Sequence, residues 1–263
     1  MTGILCVNRK FDDEPVKRRQ AAFIDRLVEG SGGRTVSWQT AQHLADPVII
    51  RGLTFRTAIK EMISQGRLYY YVDNGYFGNA ISKQWFRIIK NHVHDVRPII
   101  PRDRSRLDRC IHQLKSRSHG RNILLAPPSA KSFTIWDIDQ QQWIADIMAE
   151  IRRYTDRPIV IREKRSREER MTVDTMDEAL SRDVHCLVTY NSVAAVEAVM
   201  AGKPAICVGP NAAQQVSSRT LADIETPLFP DDDLREAWLR HLSYSQFTFS
   251  EMSDGTAWSI LNE

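Results

Sequence analysis

Residues 184–210, VHCLVTYNSVAAVEAVMAGKPAICVGP, press an apolar run, a polar turn, a small-residue run and a second apolar run into 27 positions. Read by periodicity, 184–189 is a strand, the next run a helix, and 205–208 a second strand, with Gly202-Lys203-Pro204 stopping the helix. The first strand would deliver Asn191 and Ser192 to the N-cap of that helix. Free N–H groups and the positive end of the helix dipole favour a phosphate there. Glu197 lies one and a half turns further on, where its carboxylate can meet ribose hydroxyls. The competing reading is structural, a capping Ser and a surface Glu.

The same alternation extends outward in both directions. Toward the N-terminus the sequence predicts a strand at 123–126, a PPSAKSF loop, a helix at 140–154, a strand at 158–162 and a helix at 174–181. Strands joined by helical crossovers make a parallel sheet, and such sheets gather ligands at the carboxyl ends of their strands. Arg162, Lys164 and Arg165 follow one of those strands, in IREKRSREER, next to the predicted Ser192 helix start, where cations could neutralise a departing diphosphate. The earlier half reads as strands at 3–7, 35–38, 48–50 and 68–72, with helices at 15–29, 55–65 and 82–92. Arg102 to Leu107 reads as a loop or the start of a helix ending near Ser116.

A chain of 263 residues with 42% hydrophobic content suits two domains of about 120 residues. Their boundary is expected near Gly120, giving an acceptor domain at 1–118, a donor domain at 119–244 and a returning segment at 245–263. No apolar stretch is long enough to span a membrane, and MTGILCVNRK is unlike a signal peptide, so a cytoplasmic location is expected. Cys6, Cys110, Cys186 and Cys207 are far apart and read as reduced core residues.

Residues 1–118 hold 21 Lys and Arg against 11 Asp and Glu, and 119–263 hold 15 against 22, charges of about +10 and −7. Lys83, Arg87, Lys90, Arg102, Arg104 and Arg106 form the core of a basic stripe suited to a polyanion, with nucleic acid first and an anionic lipid or glycan next. Aromatic residues at 69–71, 76–77 and 85–86 accompany it and could stack on bases or simply wall a core.

The strand–Asn-Ser–helix–Glu–Gly-Lys-Pro–strand pattern resembles the GT-B glycosyltransferases, and the likeness covers 119–263. LYYYVDNGYFG (68–78) and WFRI (85–88) are similar to segments of phage-encoded DNA glycosyltransferase-like proteins. The resemblance implies an α/β fold of two Rossmann-like domains with parallel sheets facing a central cleft. It implies a nucleoside-diphosphate sugar as co-substrate, a UDP-sugar first, with no tightly bound cofactor. By that likeness Asn191 and Ser192 receive the diphosphate, Glu197 the ribose, and Arg162 or Lys164 the leaving phosphate. GT-B enzymes often carry two glutamates seven residues apart; here position 190 is Tyr190. SQFTFSEMSDGTAW (245–258) looks like the segment that returns to the first domain.

For the acceptor base, Asp73 at the end of the 68–72 strand is the first choice, equally readable as a turn cap before Asn74-Gly75; His92 and His94 are alternatives. The preferred acceptor is a hydroxymethylated pyrimidine in double-stranded phage DNA. The alternatives are a capsule or lipopolysaccharide glycan, a nucleotide-sugar 2-epimerase, and a non-catalytic nucleotide- or nucleic-acid-binding module. The sequence carries no metal signature, and Asp231-Asp232-Asp233 reads as the cap of a helix at 234–242.

Overall fold

The computed structural model describes residues 4–7, 15–78, 84–110, 114–163 and 175–263, with the side chains of 15–22 excepted. The chain folds as two compact units, one of residues 1–93 with 243–263, the other of residues 94–242.

The first unit is built on a six-stranded sheet, ordered β10-β5-β4-β3-β1-β2. Its strands are β1 (Leu5–Val7), β2 (Arg34–Val36), β3 (Val48–Arg51), β4 (Tyr69–Asn74), β5 (Phe86–Lys90) and β10 (Gln246–Phe247). The first four are mutually parallel, whereas β5 runs antiparallel to both β4 and β10. Helices α1 (Pro15–Ser31), α2 (Trp38–Ala41) and α3 (Arg56–Ser64) connect the parallel strands. One face carries Cys6, Ile49, Tyr70, Val72 and Ile88. It is covered by Phe23, Ile24 and Leu27 of α1, by Met252 of α10 (Phe249–Ser253), and by Ala257 and Trp258 of α11 (Thr256–Leu261).

One expectation fails here. Within the helix expected at 82–92 the structure places β5, an interior strand between β10 and β4 whose residues 86–89 are all buried. A strand covered on both faces loses the polar–apolar alternation that would reveal it, and reads as an apolar run of either kind.

The second unit carries β6 (Asn122–Leu125), β7 (Ile159–Ile161), β8 (Val184–Thr189) and β9 (Ala205–Cys207), in the order β7-β6-β8-β9 with every pair parallel. All six residues of β8 are buried, as a central strand of a doubly covered parallel sheet requires. The unit's helices are α4 (Ser105–Arg109), α5 (Ala130–Phe133), α6 (Gln140–Ile151), α7 (Met176–Ser181), α8 (Ala194–Met200) and α9 (Asp232–Ser243). Asp139 caps α6 through the Gln142 N–H, and Thr175 with Glu178 forms a capping box on α7. The helix expected to run toward Ser116 is only α4, ending at Arg109.

The break between units lies at 93/94, not at the 118/119 boundary read from Gly120. Residues beyond α4 bind the second unit through their backbone: Lys115 N–H donates to Met200 O (2.9 Å) and Ser118 N–H to Gly202 O (3.0 Å). Gly202 itself adopts φ +72, and a Cβ there would meet Ser116 O at 2.2 Å. All four cysteines are buried free thiols, and burial pushes Cys6, Cys186 and Cys207 up to about 12.

Candidate functional site

In the second unit the chain passes from β6 to β7 on one side, then crosses to β8 on the other. The strand order therefore switches between β6 and β8, and ligands of open α/β sheets bind at the carboxyl ends of such a pair. The two ends are tied together by the Thr189 hydroxyl, which donates to Ala126 O (2.6 Å) and accepts the Ser192 N–H (3.3 Å).

Asn191 stands at this switch point and is 2% exposed. Its Oδ1 accepts from the Ser132 hydroxyl at 3.2 Å, while its Nδ2 has no hydrogen-bond partner among the described residues. A buried N–H without a partner costs about 1–3 kcal/mol, so an orphan at a strand end is a place where an acceptor atom from outside would be held. Ser192 is half-buried and sits two residues before α8, whose N-cap is Val193. Its hydroxyl accepts the Ala194 N–H (3.2 Å), so it orders the turn rather than capping the helix as the sequence predicted.

Asn211, fully buried, locks the neighbouring loop: its Nδ2 donates to Ser192 O (2.9 Å) and its Oδ1 accepts the Ala213 N–H (2.9 Å). Both ends of that amide are satisfied, in contrast to Asn191. Glu197 is the exposed residue of a helix whose neighbouring positions are buried. At the far end of α8, the guanidinium of Arg235 is 1% exposed and donates to Val199 O (2.8 Å), Met200 O (3.2 Å) and Lys115 O (2.8 Å). A buried cation thus satisfies the last carbonyls of the helix and complements its dipole.

Tyr190 contributes a ring wall. Its ring lies over Gly209, where a Cβ would come within 2.6 Å of it, and it approaches Phe133 (5.6 Å) and Trp143 (6.4 Å). Arg162 is half-buried after β7, and its N–H binds Leu125 O at 2.8 Å. β6 intervenes between its strand and that of the Ser192 turn, a lateral backbone separation of about 10 Å at normal strand spacing. Lys164 lies outside the described residues. Asp231 accepts the Leu234 N–H (2.8 Å) and Asp232 pairs with Arg235, so this acidic run caps α9.

A second polar cluster in this unit was not foreseen. Asp95, 3% exposed, accepts from Arg97 (2.7 Å) and faces His241 Nε2 at 3.3 Å, while His241 Nδ1 accepts the Ile100 N–H (3.2 Å). Burial opposes the charge on Asp95, but the Arg97 and His241 hydrogen bonds outweigh it and hold the carboxyl well below the usual carboxylate range.

In the first unit, Asp73 occupies the end of β4 with three donors on its carboxylate. Tyr71 O–H donates at 2.7 Å, Asn74 N–H at 2.8 Å and Arg87 at 3.3 Å. Arg87, 6% exposed, also donates to Asn74 O (2.6 Å) and lies over the Tyr76 ring at 5.2 Å. Burial works against the Arg87 charge, and Asp73 with the two tyrosines raises its pKa regardless. The geometry is that of an anchored counter-ion.

The described cations of the expected basic stripe differ in exposure. Arg87 and Arg106 are buried, Arg104 pairs with Asp108 and Glu236, Arg102 is half-buried and Lys90 exposed; Lys83 lies outside the described residues. Arg87 and Lys90 moreover belong to one unit, and Arg102, Arg104 and Arg106 to the other.

No family model matches the chain, and no curated protein matches it. Among solved structures it is similar to Thermosulfurimonas dismutans KpsC, beta Kdo 2,7 transferase, at 12% identity over 99% of both chains with a TM-score of 0.52. It is also similar to the beta Kdo 2,4 transferase of KpsC from the same organism, at 13% identity over 91% of this chain and 90% of that one, TM-score 0.48. The first of these supports a likeness of fold. The chain has a two-unit α/β fold with parallel strands in both sheets, consistent with a GT-B-like architecture.

Proposed function

We propose that this protein is a glycosyltransferase which holds a nucleotide sugar on its second unit and transfers the sugar to a hydroxyl of a glycan acceptor. The observation that carries the reading is the unpartnered, buried Nδ2 of Asn191 at the β6/β8 switch point, in a fold shared with a sugar transferase. In this reading Asn191 Nδ2 donates to a phosphate or base oxygen of the donor, Glu197 takes the ribose hydroxyls, and Tyr190 walls the site. Arg162 offers a cation to the leaving phosphate from across β6. No Lewis acid is assigned.

A glycan acceptor is favoured over modified DNA. The fold neighbour is a Kdo transferase, and the expected DNA-binding stripe is interrupted by buried and paired arginines. Asp73 takes a positioning part in this reading, as the anion that fixes Arg87.

The test is thermal shift of the purified chain against UDP, GDP, CMP and their sugars, since a ligand of the native state raises Tm by mass action. A shift with one nucleotide that is lost in Asn191→Ala supports the donor site and names the donor base. No shift with any of them sinks the reading. Sugar isomerisation without any acceptor would instead identify an epimerase.

A further inference from the structure

The two units share one topology. Strands β1 to β4 lie in the order β2-β1-β3-β4, and β6 to β9 in the order β7-β6-β8-β9, so in each the third strand lies on the opposite side of the first from the second. The switch point of the first unit is therefore between β1 and β3, and the last residue of β3 is Arg51.

Arg51 stands in an unusual setting. Its guanidinium lies 4.0 Å from the Phe23 ring centroid and 5.8 Å from that of Phe86, and it makes neither a hydrogen bond nor an ion pair with any described residue. Burial lowers its pKa, with Asp73 pulling it back up. Beside it opens a cavity of about 790 Å³. Phe23, Phe86 and Phe249 line it as a three-ring cluster with centroids 4.7–5.3 Å apart. Phe249 is left 39% exposed on the wall. The rim adds Arg26, which pairs with Glu29 at 3.3 Å, together with Asp254.

We propose that this cavity binds the end of an acidic glycan, with the sugar's carboxylate on Arg51, its C–H face on Phe249 and Phe86, and its hydroxyls on the rim carboxylates. A guanidinium fork matches a carboxylate in two parallel hydrogen bonds, and a partly desolvated cation with no hydrogen-bond or ion-pair partner among the described residues is the group that such an anion satisfies. Aromatic rings offer flat apolar surface to the ring C–H groups of a sugar. The charge balance selects the anion. Arg26 is held by Glu29, and Asp254 adds another negative charge, so a singly charged carboxylate fits where a phosphate dianion would be repelled. The inference rests on the glycosyltransferase reading for the role of this ligand as acceptor, but not for its binding.

The experiment is titration of the full chain by calorimetry with the methyl glycosides of Kdo and of N-acetylneuraminic acid, their neutral methyl esters, and a neutral hexoside carrying a 6-phosphate. Saturable binding of the acids is expected, with the esters and Arg51→Gln each weaker by at least about tenfold. Arg51→Lys should be intermediate, because it keeps the charge and loses the fork. Phe249→Ala, at an exposed position, is expected to weaken binding too and provides a probe should Arg51→Gln fail to fold. Equal binding of acid and ester, unchanged affinity in Arg51→Gln, or preference for the phosphate overturns the proposal. Nucleotide thermal shift on the same samples separates the two readings. Its absence with acid binding intact removes the transferase function and leaves the pocket, while its presence without acid binding removes only the pocket.

Discussion

Replacing Asn191 by Ala should move stability and ligand affinity in different proportions, because the side chain is only half satisfied. The substitution removes the Ser132–Asn191 hydrogen bond of 3.2 Å, about 1 kcal/mol, and Ser132 is half-buried so that water can replace the partner. Some packing is lost as well, on the order of 1 kcal/mol for so few atoms. Against this, the buried unpaired Nδ2 disappears, which returns about 1–3 kcal/mol. The net change in unfolding free energy is therefore within about 1 kcal/mol of zero. Binding behaves otherwise: a hydrogen bond from Nδ2 to a charged phosphate oxygen is worth about 1.5–3 kcal/mol, and its loss weakens the nucleotide by roughly 10–150-fold. Urea denaturation followed by tryptophan fluorescence gives the first quantity, and titration with the nucleotide identified by thermal shift gives the second. A variant that loses more than about 2 kcal/mol of stability yet binds nucleotide normally would refute the reasoning, since Asn191 would then be a satisfied structural amide.

Arg235→Met should cost the second unit about 3–5 kcal/mol, because the carbonyls of Val199, Met200 and Lys115 lose a buried donor together; urea midpoints check it, with Arg235→Lys recovering part of the loss. Asp95→Asn should cost about 3 kcal/mol at pH 7. The folded carboxyl is held below its unfolded value of about 4, so that contribution is fully present above that pH and fades as the pH falls below it. Denaturation at pH 7 and pH 3 should show the gap between wild type and variant shrinking in acid, and a constant gap would contradict the assignment. Asp73→Asn should lower stability by about 2 kcal/mol by stripping buried Arg87 of its counter-ion; lost sugar transfer with an unchanged melting temperature would instead make Asp73 the base.

The parts of this fold that were legible in sequence are those whose cause is local. The 184–210 stretch declares two strands and a helix because β8 and β9 are wholly buried, α8 is built of small residues, and Gly202 ends it with a positive φ. Where the cause is distant, the sequence is silent. Phe86 to Ile89 resembles a helix segment until β4 and β10 are seen on either side. Residues 94–118 look like a continuation of the basic half until Lys115 and Ser118 are found bonded to the end of α8. Arg51 is one arginine among many in composition. Its meaning comes from the strand order and from the lack of an ion pair among the described residues, neither of which a linear pattern records. Asn211 and Arg235 escaped for the same reason, since the backbone carbonyls they hold lie 19 residues away for Asn211 and 35 or more for Arg235.

The first unit is discontinuous: residues 243–263 supply β10 on the edge of its sheet and place Phe247, Met252 and Trp258 in its core. A ribosome emits the 149 residues of the second unit before that closing segment, all of them contiguous. The second unit can therefore complete its core while the first still waits for its last strand, so the order of maturation runs opposite to the order of synthesis. In the interval the exposed edge of β5 is an unpaired strand in a half-built sheet, the point at which a nascent chain would be most open to chaperone capture or mispairing.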